Sequence, residues 1–435
     1  MGDARKQVPV RDVDRTQIFT PPDLADFMVH QLNLSAAGEV DLLEPGAGAG
    51  ALAESVIAAS PRPPRLTLVE RDLTLGSHLS DLVEHHRSDI AEDSEALTDD
   101  FFALAPAWIA DGRRFTHIIT NPPFARVEPQ SHVAAVLRKA NVRATNYFAA
   151  FLWLASDLLA DGGTMVAVVP RSILSGARYA ATRAHMLEGA ALVALHHFTD
   201  RRAVFERDSV QQEVVVLTLS RGAAPSHIRY SQSATVINIP DAIQLPHRRI
   251  QLDAADGHAV LVPTIVRGEV DPSDATSSLL PDGVQASVGN VVDFRAGADV
   301  VVRGDGEIPL VGSEIFFTRT PDLRALRLND RTQRHVFPPG RYVVIRRISP
   351  SEARPRIQAK LVVAEGDEFS KGVAFENHLL VLHANGKGMT PETCSVLLER
   401  LSDARTERQF CERGGTTQVN VGDIRALRYE GSSEE

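Results

Sequence analysis

The sequence predicts a doubly wound α/β fold for its first half. Short apolar runs alternate with amphipathic segments there, which is the pattern of parallel strands connected by helices. The predicted strands span residues 40–43, 65–69, 117–120, 164–169, 192–198 and 213–219. The predicted helices include residues 22–31, 51–60 and 147–159. The last two strands follow each other closely, so we expect them to form an antiparallel pair at the edge of the sheet.

The composition indicates a globular protein of a reducing compartment. Of 435 residues, 43% are apolar and 23% are charged, which is enough to build buried cores. Only two cysteines occur, Cys394 and Cys411, so neither a disulfide scaffold nor a zinc ribbon can form. No apolar run approaches the ~18–20 residues that a membrane span requires, and the first 15 residues do not resemble a secretion signal. We therefore expect a cytoplasmic protein without membrane contact.

The second half has a different pattern and a local excess of positive charge. Around residues 222–250 the helical pattern gives way to short Val-rich runs separated by Gly, Pro, Asp and Arg, which predicts a mixed, β-rich domain. We place the domains at residues 1–225 and 226–435. The net charge is −10, yet residues 319–360 hold 11 basic and three acidic side chains. Such a cluster suits phosphate binding, although a solvated surface rich in Arg through coding bias has the same composition.

A glycine-rich turn follows the first predicted strand. Gly46, Gly48 and Gly50 allow the backbone to turn sharply and to approach a ligand closely. Glu70 ends the second predicted strand, where a carboxylate can accept hydrogen bonds from ribose hydroxyls. Asp89, with Ile90 beside it, lies where we expect a third strand to end, and it could bind an adenine amino group. A nicotinamide cofactor would fit this loop equally well, and a solvated turn is the alternative for Asp89.

The segment Asn121-Pro122-Pro123-Phe124 distinguishes between these cofactors. The two prolines stiffen the chain at the end of the strand predicted at residues 117–120, the fourth if a third ends near Asp89, and prevent it from continuing as a strand. The Asn121 side-chain oxygen and the Pro122 carbonyl can then act as a pair of acceptors for an amino group with two hydrogens. Phe124 adds a flat apolar surface for a planar ring. A Pro-Pro turn with Asn as a strand terminator is the structural alternative.

With these residues, the sequence resembles the γ-class adenine-N6 DNA methyltransferases of bacterial restriction–modification systems. The resemblance covers residues 16–220 and follows the order of the family motifs: Thr-Pro-Pro at 20–22, the glycine loop, Glu70, Asp89, Asn121–Phe124, the segment 147–159, and Phe205 with the strand after it. Asp93 competes with Asp89 for its motif. The resemblance implies a Rossmann-like class I methyltransferase domain with a mostly parallel seven-stranded sheet, and S-adenosylmethionine as cofactor.

The resemblance also assigns roles to individual residues. Asn121, Pro122 and Phe124 would be catalytic, and Phe124 and Phe205 would stack on a target base extruded from the duplex. The cofactor would contact Thr20, Pro21, Glu44, Pro45, Gly46, Ala47, Gly48, Glu70, Asp89, Ile90, Asn121, Pro123 and Phe151. Acceptors at Asn121 and Pro122 would localise the lone pair of the adenine amine, which then attacks the sulfonium methyl directly. We expect no metal ion, because positioning and charge stabilisation suffice.

In similar enzymes the second half of the chain is a target-recognition domain that binds double-stranded DNA. The residues expected to contact DNA are Arg319, Arg324, Arg327, Arg334, Arg346, Arg347, Gln418 and Asn420. The last two belong to the segment 414–420, Gly-Gly-Thr-Thr-Gln-Val-Asn, which resembles a stretch found late in such domains. A hairpin turn would explain the same residues.

Two other functions fit parts of the sequence. An Asn-Pro-Pro-Phe loop also occurs in methyltransferases that act on ribosomal RNA or on a protein glutamine, although these usually lack the Thr-Pro-Pro segment and a large C-terminal domain. A non-catalytic DNA-binding scaffold is a third interpretation. About 15 residues precede the first motif, so we expect any restriction endonuclease partner to be a separate chain or to be absent.

Overall fold

The computed structural model describes residues 19–36, 38–174, 176–200, 204–205, 213–222, 225–236, 239–246, 277–292, 299–302, 307–317, 324–348, 353, 355–413 and 418–429. The chain divides into two compact units, residues 1–263 and 264–435. The boundary expected after residue 225 is therefore too early. The physical reason is that two strands beyond this point hydrogen-bond to the sheet of the first unit.

The first unit is an α/β sandwich. Its helices are α1 Pro22–Leu32, α2 Ala51–Ala59, α3 Leu73–His85, α4 Phe101–Ala110, α5 His132–Lys139, α6 Tyr147–Leu158 and α7 Ala180–Gly189. Its strands are β1 Asp41–Pro45, β2 Arg65–Glu70, β3 Glu95–Thr98, β4 Phe115–Thr120, β5 Leu159–Pro170, β6 Ala191–Phe198, β7 Val214–Ser220, β8 His227–Ser233 and β9 Ile243–Pro246. The predicted helices and strands of this half are all present, within a few residues of their expected ends.

The described strands form one sheet of nine in the order β3-β2-β1-β4-β5-β7-β6-β8-β9. The first five strands in this order are parallel, and β7 runs antiparallel to both β5 and β6. The expected antiparallel pair of β6 and β7 is confirmed, but it does not end the sheet. Since β8 pairs with β6 and β9 pairs with β8, the sheet has two strands more than the expected seven.

Apolar stripes attach the helices to the sheet. In α1, Leu24 and Met28 are fully buried and belong to the same cluster as Leu42 of β1 and Val168 of β5. Pro22 lies in the first turn of α1, where the missing amide hydrogen costs nothing. This helix therefore begins at a defined residue, which fixes the position of the two residues before it. Those residues, Thr20 and Pro21, lead into the site described below.

The second unit is built mainly from short strands. They are β10 Ser277–Ser278, β11 Val284–Val288, β12 Val300–Val302, β13 Ile308–Val311, β14 Arg324–Leu326, β15 Val336–Phe337, β16 Gly340–Arg346, β17 Ala359–Ala364, β18 Val373–Phe375, β19 Leu379–Ala384 and β20 Arg428–Tyr429. Its helices are α8 Pro391–Ser402, α9 Ala404–Arg413 and α10 Val421–Ala426. One described sheet has the order β11-β19-β16-β17 and another β12-β14-β13-β18-β15. The helices cover the first of these sheets through a cluster that includes Val343, Leu397 and Ile424.

Candidate active site

Four loops meet at one edge of the first unit's sheet. Strands β1 to β4 are parallel neighbours, so the segments that follow them, including residues 46–50, 71–72, 99–100 and 121–124, emerge at the same side. In doubly wound sheets the ligand lies at the carboxyl ends of the strands. The first unit therefore presents its candidate site at this edge.

The loop after β1 requires glycine for its backbone conformation. Gly46, Gly48 and Gly50 have φ angles of 73°, 56° and 84°, which other residues adopt only with strain. The amide groups of Gly46 and Ala47 both donate to the carbonyl of Val69, at 2.8 and 3.0 Å. A Cβ at Gly46 would lie 3.3 Å from the Phe151 ring. The missing Cβ of Gly46 thus allows the Phe151 ring to pack closely against this turn.

The Glu70 carboxylate holds this loop in place. One of its oxygens accepts a hydrogen bond from the Gly48 amide and the other from the Asp72 amide, both at 2.9 Å. Glu70 is buried at the end of β2. Each carboxylate oxygen has a second lone pair, so Glu70 can fix the loop and still accept a hydrogen bond from a ligand hydroxyl.

Glu44 is a fully buried carboxyl group beneath the same loop. It is 1% exposed, and burial raises its pKa well above the usual value, against a smaller opposing effect from a backbone hydrogen bond of Ala53. Among the described residues its Oε2 atom has no hydrogen-bond partner. A buried carboxyl oxygen of this kind suits a cationic ligand, because a positive charge nearby would favour its ionised form. S-adenosylmethionine carries such charges, and the glycine loop offers it bare backbone.

The loop after β4 is held by side chains. The Thr120 hydroxyl donates to the Pro45 carbonyl at 2.8 Å, which connects this loop to the end of β1. The Asn121 Nδ2 atom donates to the Thr20 hydroxyl at 3.1 Å. Asn121 and Pro122 are buried, whereas Pro123 and Phe124 are partly exposed. The structure therefore brings Thr20, Asn121 and the glycine loop together, as the sequence predicts.

Aromatic rings surround the two loops. Phe124 packs edge to face against Phe205, with ring centroids 6.1 Å apart, and against Phe148 at 6.2 Å. Phe205 is only 2% exposed, so in this conformation its ring is part of the core and offers no open face to a base. Most of the neighbouring segment, residues 201–203 and 206–212, lies outside the described residues. The expected pair of rings is assembled, with Phe124 as its accessible member.

Phe151 lies in a second aromatic group, next to Gly46. Its ring centroid is 5.0 Å from those of Phe101 and Phe102. Tyr147 extends this group, with its ring 5.7 Å from Phe102 and the Arg71 guanidinium 5.8 Å above it. These rings form an apolar wall next to the glycine loop, which is suited to a planar heterocycle.

The structure overturns the expected roles of Asp89 and Ile90. Both precede β3, so they lie at the opposite edge of the sheet from the glycine loop. Asp89 is exposed and 3.3 Å from the His86 ring, while Ile90 is buried in the core. Asp93, the competing candidate, pairs with Arg65 at 2.8 Å, also at that far edge.

The carboxylates at the correct end of β3 are Asp99 and Asp100. The Asp99 amide donates to the Glu70 carbonyl at 3.1 Å, which places Asp99 beside the loop after β2. Asp100 caps α4 by accepting from the Phe102 amide. Sequence analysis missed them because β3 is four residues long and only half-buried, so it lacks an apolar run. The available signal was Asp-Asp-Phe-Phe at 99–102, a capping residue before a helix start.

Three charged or titratable side chains tie β5, β6 and β7 together near this edge. Arg171 lies 2.7 Å and the His197 ring 3.2 Å from the same oxygen of Glu213. Burial acts to raise the pKa of Glu213, but the His197 hydrogen bond and the Arg171 charge lower it to about 2. Burial lowers the pKa of His197, against the opposing effect of its hydrogen bond with Glu213. Sequence analysis did not identify this cluster.

In the second unit, some of the residues expected to bind DNA contact carboxylates of the protein, and two others are exposed arginines. Arg324 lies 2.9 Å from Glu314 and 3.3 Å from Glu376, so its charge is compensated internally. Asn420 forms a capping box with Asp423 at the start of α10. These two residues therefore have structural contacts of their own. Arg319 lies outside the described residues, while Arg327 and Arg334 are exposed.

Arg346 and Arg347, at the end of β16, differ from Arg324. Neither has a carboxylate within 4 Å among the described residues. The Arg346 guanidinium lies 4.3 Å from the centroid of the Phe317 ring, which is 64% exposed. Arg347 donates to the Asn377 carbonyl, and burial lowers the pKa of its guanidinium. Gln418 forms a bridge with Ile348, next to this pair.

Within the ranges that the structure describes, neither a membrane-spanning helix nor a cluster of metal ligands is present. No helix there combines the length and apolar character needed to cross a bilayer. In the same ranges, no group of three or more His, Cys, Asp or Glu side chains converges as metal ligands would.

The sequence of the chain is similar to those of known methyltransferases. The family model of the Eco57I restriction-modification methylase matches residues 65–205. The type II methyltransferase M.BsuBI of Bacillus subtilis is 28% identical over 95% of this chain and 87% of its own. M.PstI of Providencia stuartii is 29% identical over 73% of this chain and 65% of its own. The chain is related to the methyltransferases of restriction–modification systems.

This relationship confirms the resemblance found in the sequence, and with it S-adenosylmethionine as cofactor. The γ arrangement and the individual motif assignments stay predictions. Among solved structures, the type IIL restriction-modification enzyme MmeI in complex with DNA aligns with a TM-score of 0.55 and 11% identity. This alignment covers 95% of the chain but 63% of MmeI, and it supports the fold alone.

Proposed function

We propose that the chain methylates DNA as part of a restriction–modification or related defence system, transferring a methyl group from S-adenosylmethionine to N6 of adenine. The observation that carries this proposal is the loop Asn121–Phe124, in which Asn121 donates to Thr20 and the preceding Thr120 donates to the end of β1 beside the glycine loop. A buried amide oxygen and carbonyl oxygen, followed by a partly exposed ring, are the groups needed to bind a planar heterocycle through its amine.

Backbone, carboxylate and aromatic groups at this edge of the sheet would hold the cofactor. The backbone of Gly46 to Gly48 would approach it closely, Glu70 would accept from its ribose, and Phe151 would pack against it. Thr20 and Pro21, Glu44 and Pro45, Ala47 and Pro123 line the same edge and complete the proposed contact set. Asp99 replaces Asp89 in this set, because Asp99 lies at the carboxyl end of β3 beside the loop after β2 and Asp89 lies before the strand.

The residues of the catalytic loop would act by orientation. When bound, S-adenosylmethionine supplies an electrophilic methyl group. Asn121 Oδ1 and the Pro122 carbonyl would accept the two hydrogens of the adenine amine and localise its lone pair, which otherwise delocalises into the ring. Their fixed position spares the reorganisation that free groups would undergo during the reaction. No covalent enzyme intermediate is needed.

The target base would have to leave the duplex to reach this loop, at a cost of a few kcal/mol. Phe124 would recover part of this cost by stacking, because its ring is partly exposed. Phe205 would contribute only after a local rearrangement, since it is buried in this conformation. The edge-to-face contact between the two rings gives Phe205 a supporting role behind Phe124.

Contacts to the duplex would come from the second unit, with Arg346 and Arg347 at their centre. Both carry charge that no described carboxylate compensates, and phosphates bind such groups strongly. Gln418 lies next to this pair, and the exposed Arg327 and Arg334 could add further phosphate contacts. Arg324 and Asn420 are left out of the proposed surface because they form internal contacts.

Single-molecule sequencing of genomic DNA tests this proposal. Cells that lack other adenine methyltransferases would express the chain or its Asn121→Ala variant. The expected result is N6-methyladenine in one short sequence context with the native chain and unmodified DNA with the variant. Modification of cytosine, or no modification of DNA while the purified chain labels RNA or protein, would contradict the proposal.

A further inference from the structure

A hydrogen bond connects the segment before α1 to the catalytic loop. The Asn121 Nδ2 atom donates to the Thr20 hydroxyl oxygen at 3.1 Å, across 101 residues of sequence. Asn121 is only 8% exposed, so this contact is largely shielded from water. We propose that Thr20 is a positioning residue, which fixes the Asn121 amide so that its oxygen faces the target amine. The inference rests on the function proposed above and adds a second role to a residue that the resemblance assigns to the cofactor.

The amide group of Asn121 is asymmetric in its hydrogen bonding. Its oxygen accepts hydrogen bonds and its nitrogen donates them, yet the two ends are almost identical in shape. Rotation by 180° would therefore fit the same space but present a donor to the target amine, which is itself a donor. In this structure the Thr20 hydroxyl oxygen accepts from Nδ2, which stabilises the orientation in which Oδ1 is presented to the target amine. A hydroxyl can also donate, so Thr20 favours this orientation by holding the amide in place and does not act as a pure acceptor.

The surroundings of Thr20 are well defined. Pro21 and Pro22 follow it, and Pro22 begins α1, whose apolar face is fully buried. Phe19 lies beside the glycine loop, since a Cβ at Gly48 would be 3.9 Å from its ring. The Thr20 hydroxyl is thus held between the loop that binds the cofactor and the loop that binds the base. Such a residue can orient Asn121 only if its own backbone is fixed, and these neighbours fix it.

Three variants separate this role from a contact with the cofactor. Thr20→Val has nearly the same shape as the native residue but lacks the acceptor, while Thr20→Ser keeps it. Thr74→Val is the matched control, because the same substitution is made at an exposed position of α3. The measurements are single-turnover transfer of a tritiated methyl group to unmodified plasmid DNA and calorimetric binding of S-adenosylhomocysteine.

At saturating cofactor we expect Thr20→Val to slow transfer about tenfold or more, a loss larger than the loss of S-adenosylhomocysteine affinity that its proposed cofactor contact would cause. Thr20→Ser should restore most of the rate, and Thr74→Val should change neither quantity. An unchanged rate in Thr20→Val would overturn the inference. So would a loss of cofactor affinity equal to the loss of rate, because Thr20 would then act through the cofactor alone.

A spectroscopic measurement tests the hydrogen bond without turnover. In protein labelled with ¹⁵N-asparagine, the Asn121 side-chain resonance can be assigned with the Asn121→Ala variant. Slow hydrogen exchange of this amide in the native chain and in Thr20→Ser, but not in Thr20→Val, is expected. Equal exchange in all three would overturn the inference even if DNA methylation is normal. A native chain that labels no DNA would instead overturn the proposed function, and the positioning role with it.

Discussion

The loops after β1 and β4 lie at the same sheet edge but are built in different ways. The first takes its shape from glycine backbone, and its hydrogen bonds run from amides to Val69 and Glu70. The second is stiffened by two prolines and held through the Thr120 and Asn121 side chains. Backbone amides and carbonyls suit a ligand that is bound in a single position. Side chains supply the hydrogen-bond acceptors that the methyl transfer requires. Loss of the Asn121 side chain should therefore affect the reaction far more than it affects cofactor binding.

The Asn121→Ala variant should show this difference most strongly. Removing one acceptor from the proposed amine site should lower methyl transfer by about 10²–10³-fold, as for other preorganised groups. Because the glycine loop is untouched, affinity for S-adenosylhomocysteine should stay within a few-fold in calorimetry. Near-normal transfer by this variant would show that Asn121 does not bind the base.

The second unit allows a comparison between an arginine that is paired with a carboxylate and arginines that have no carboxylate within 4 Å among the described residues. The double variant Arg346→Ala, Arg347→Ala should weaken binding of a 30-base-pair duplex about tenfold to a hundredfold at low salt. The slope of log affinity against log salt should become shallower by about one for each lost phosphate contact. Fluorescence anisotropy measures both quantities.

Arg341→Ala is the control for this experiment. Arg341 lies on the same strand, but its guanidinium is 2.8 Å from Glu365, so its loss should leave the salt slope unchanged. Equal effects of Arg341→Ala and the double variant would show that general charge alone, rather than the end of β16, governs binding.

Glu44 should make cofactor binding dependent on pH. Its raised pKa means that the carboxyl group is protonated in the free protein up to a pH above its usual range, and a cationic ligand would favour the ionised form. Binding of S-adenosylmethionine should then release a proton, with affinity falling by up to about tenfold per pH unit below that pKa. Calorimetry in buffers of different ionisation enthalpy detects the proton, and Glu44→Gln should abolish the release.

The smallest expected effect is on cofactor binding, and it compares aspartates at the two opposite edges of the sheet. Asp99→Ala should weaken cofactor binding about threefold to tenfold, the range for one lost hydrogen bond. Asp89→Ala should leave it unchanged, because Asp89 is exposed at the far edge. Calorimetric titration with S-adenosylhomocysteine measures both variants. The reverse order of effects would restore the original motif assignment.

Sequence alone predicted the parts of this site that depend on local rules. Glycines after a strand and two prolines after another have direct conformational consequences, so residues 46–50 and 121–124 were placed correctly at one edge. Strand β3 was missed because its side chains are only half-buried, and the third carboxylate was therefore assigned to the wrong end of the strand. Strands β8 and β9 were missed because neither contains a long apolar run: polar residues interrupt β8, and β9 is only four residues long.

The partners of charged residues were beyond sequence analysis for a different reason. Arg324 is compensated by Glu376, 52 residues further along the chain, and Arg171 by Glu213, 42 residues away. In both cases the two residues meet only because the sheets bring distant strands together. Composition identified the basic cluster, but only the fold distinguishes Arg324 from Arg346 and Arg347.

The cluster of Arg171, His197 and Glu213 has a consequence for behaviour in acid. Residues 199–213 start from the end of β6 and return at the start of β7, and Glu213 joins both strands to Arg171. Because its pKa is about 2, the Glu213 carboxylate keeps its negative charge down to about that pH, whereas Glu44, whose pKa is raised by burial, becomes neutral at a higher pH. Acidification should thus release the cofactor first. The contacts of Glu213 with Arg171 and His197 would still hold the strand ends on both sides of the segment that contains Phe205.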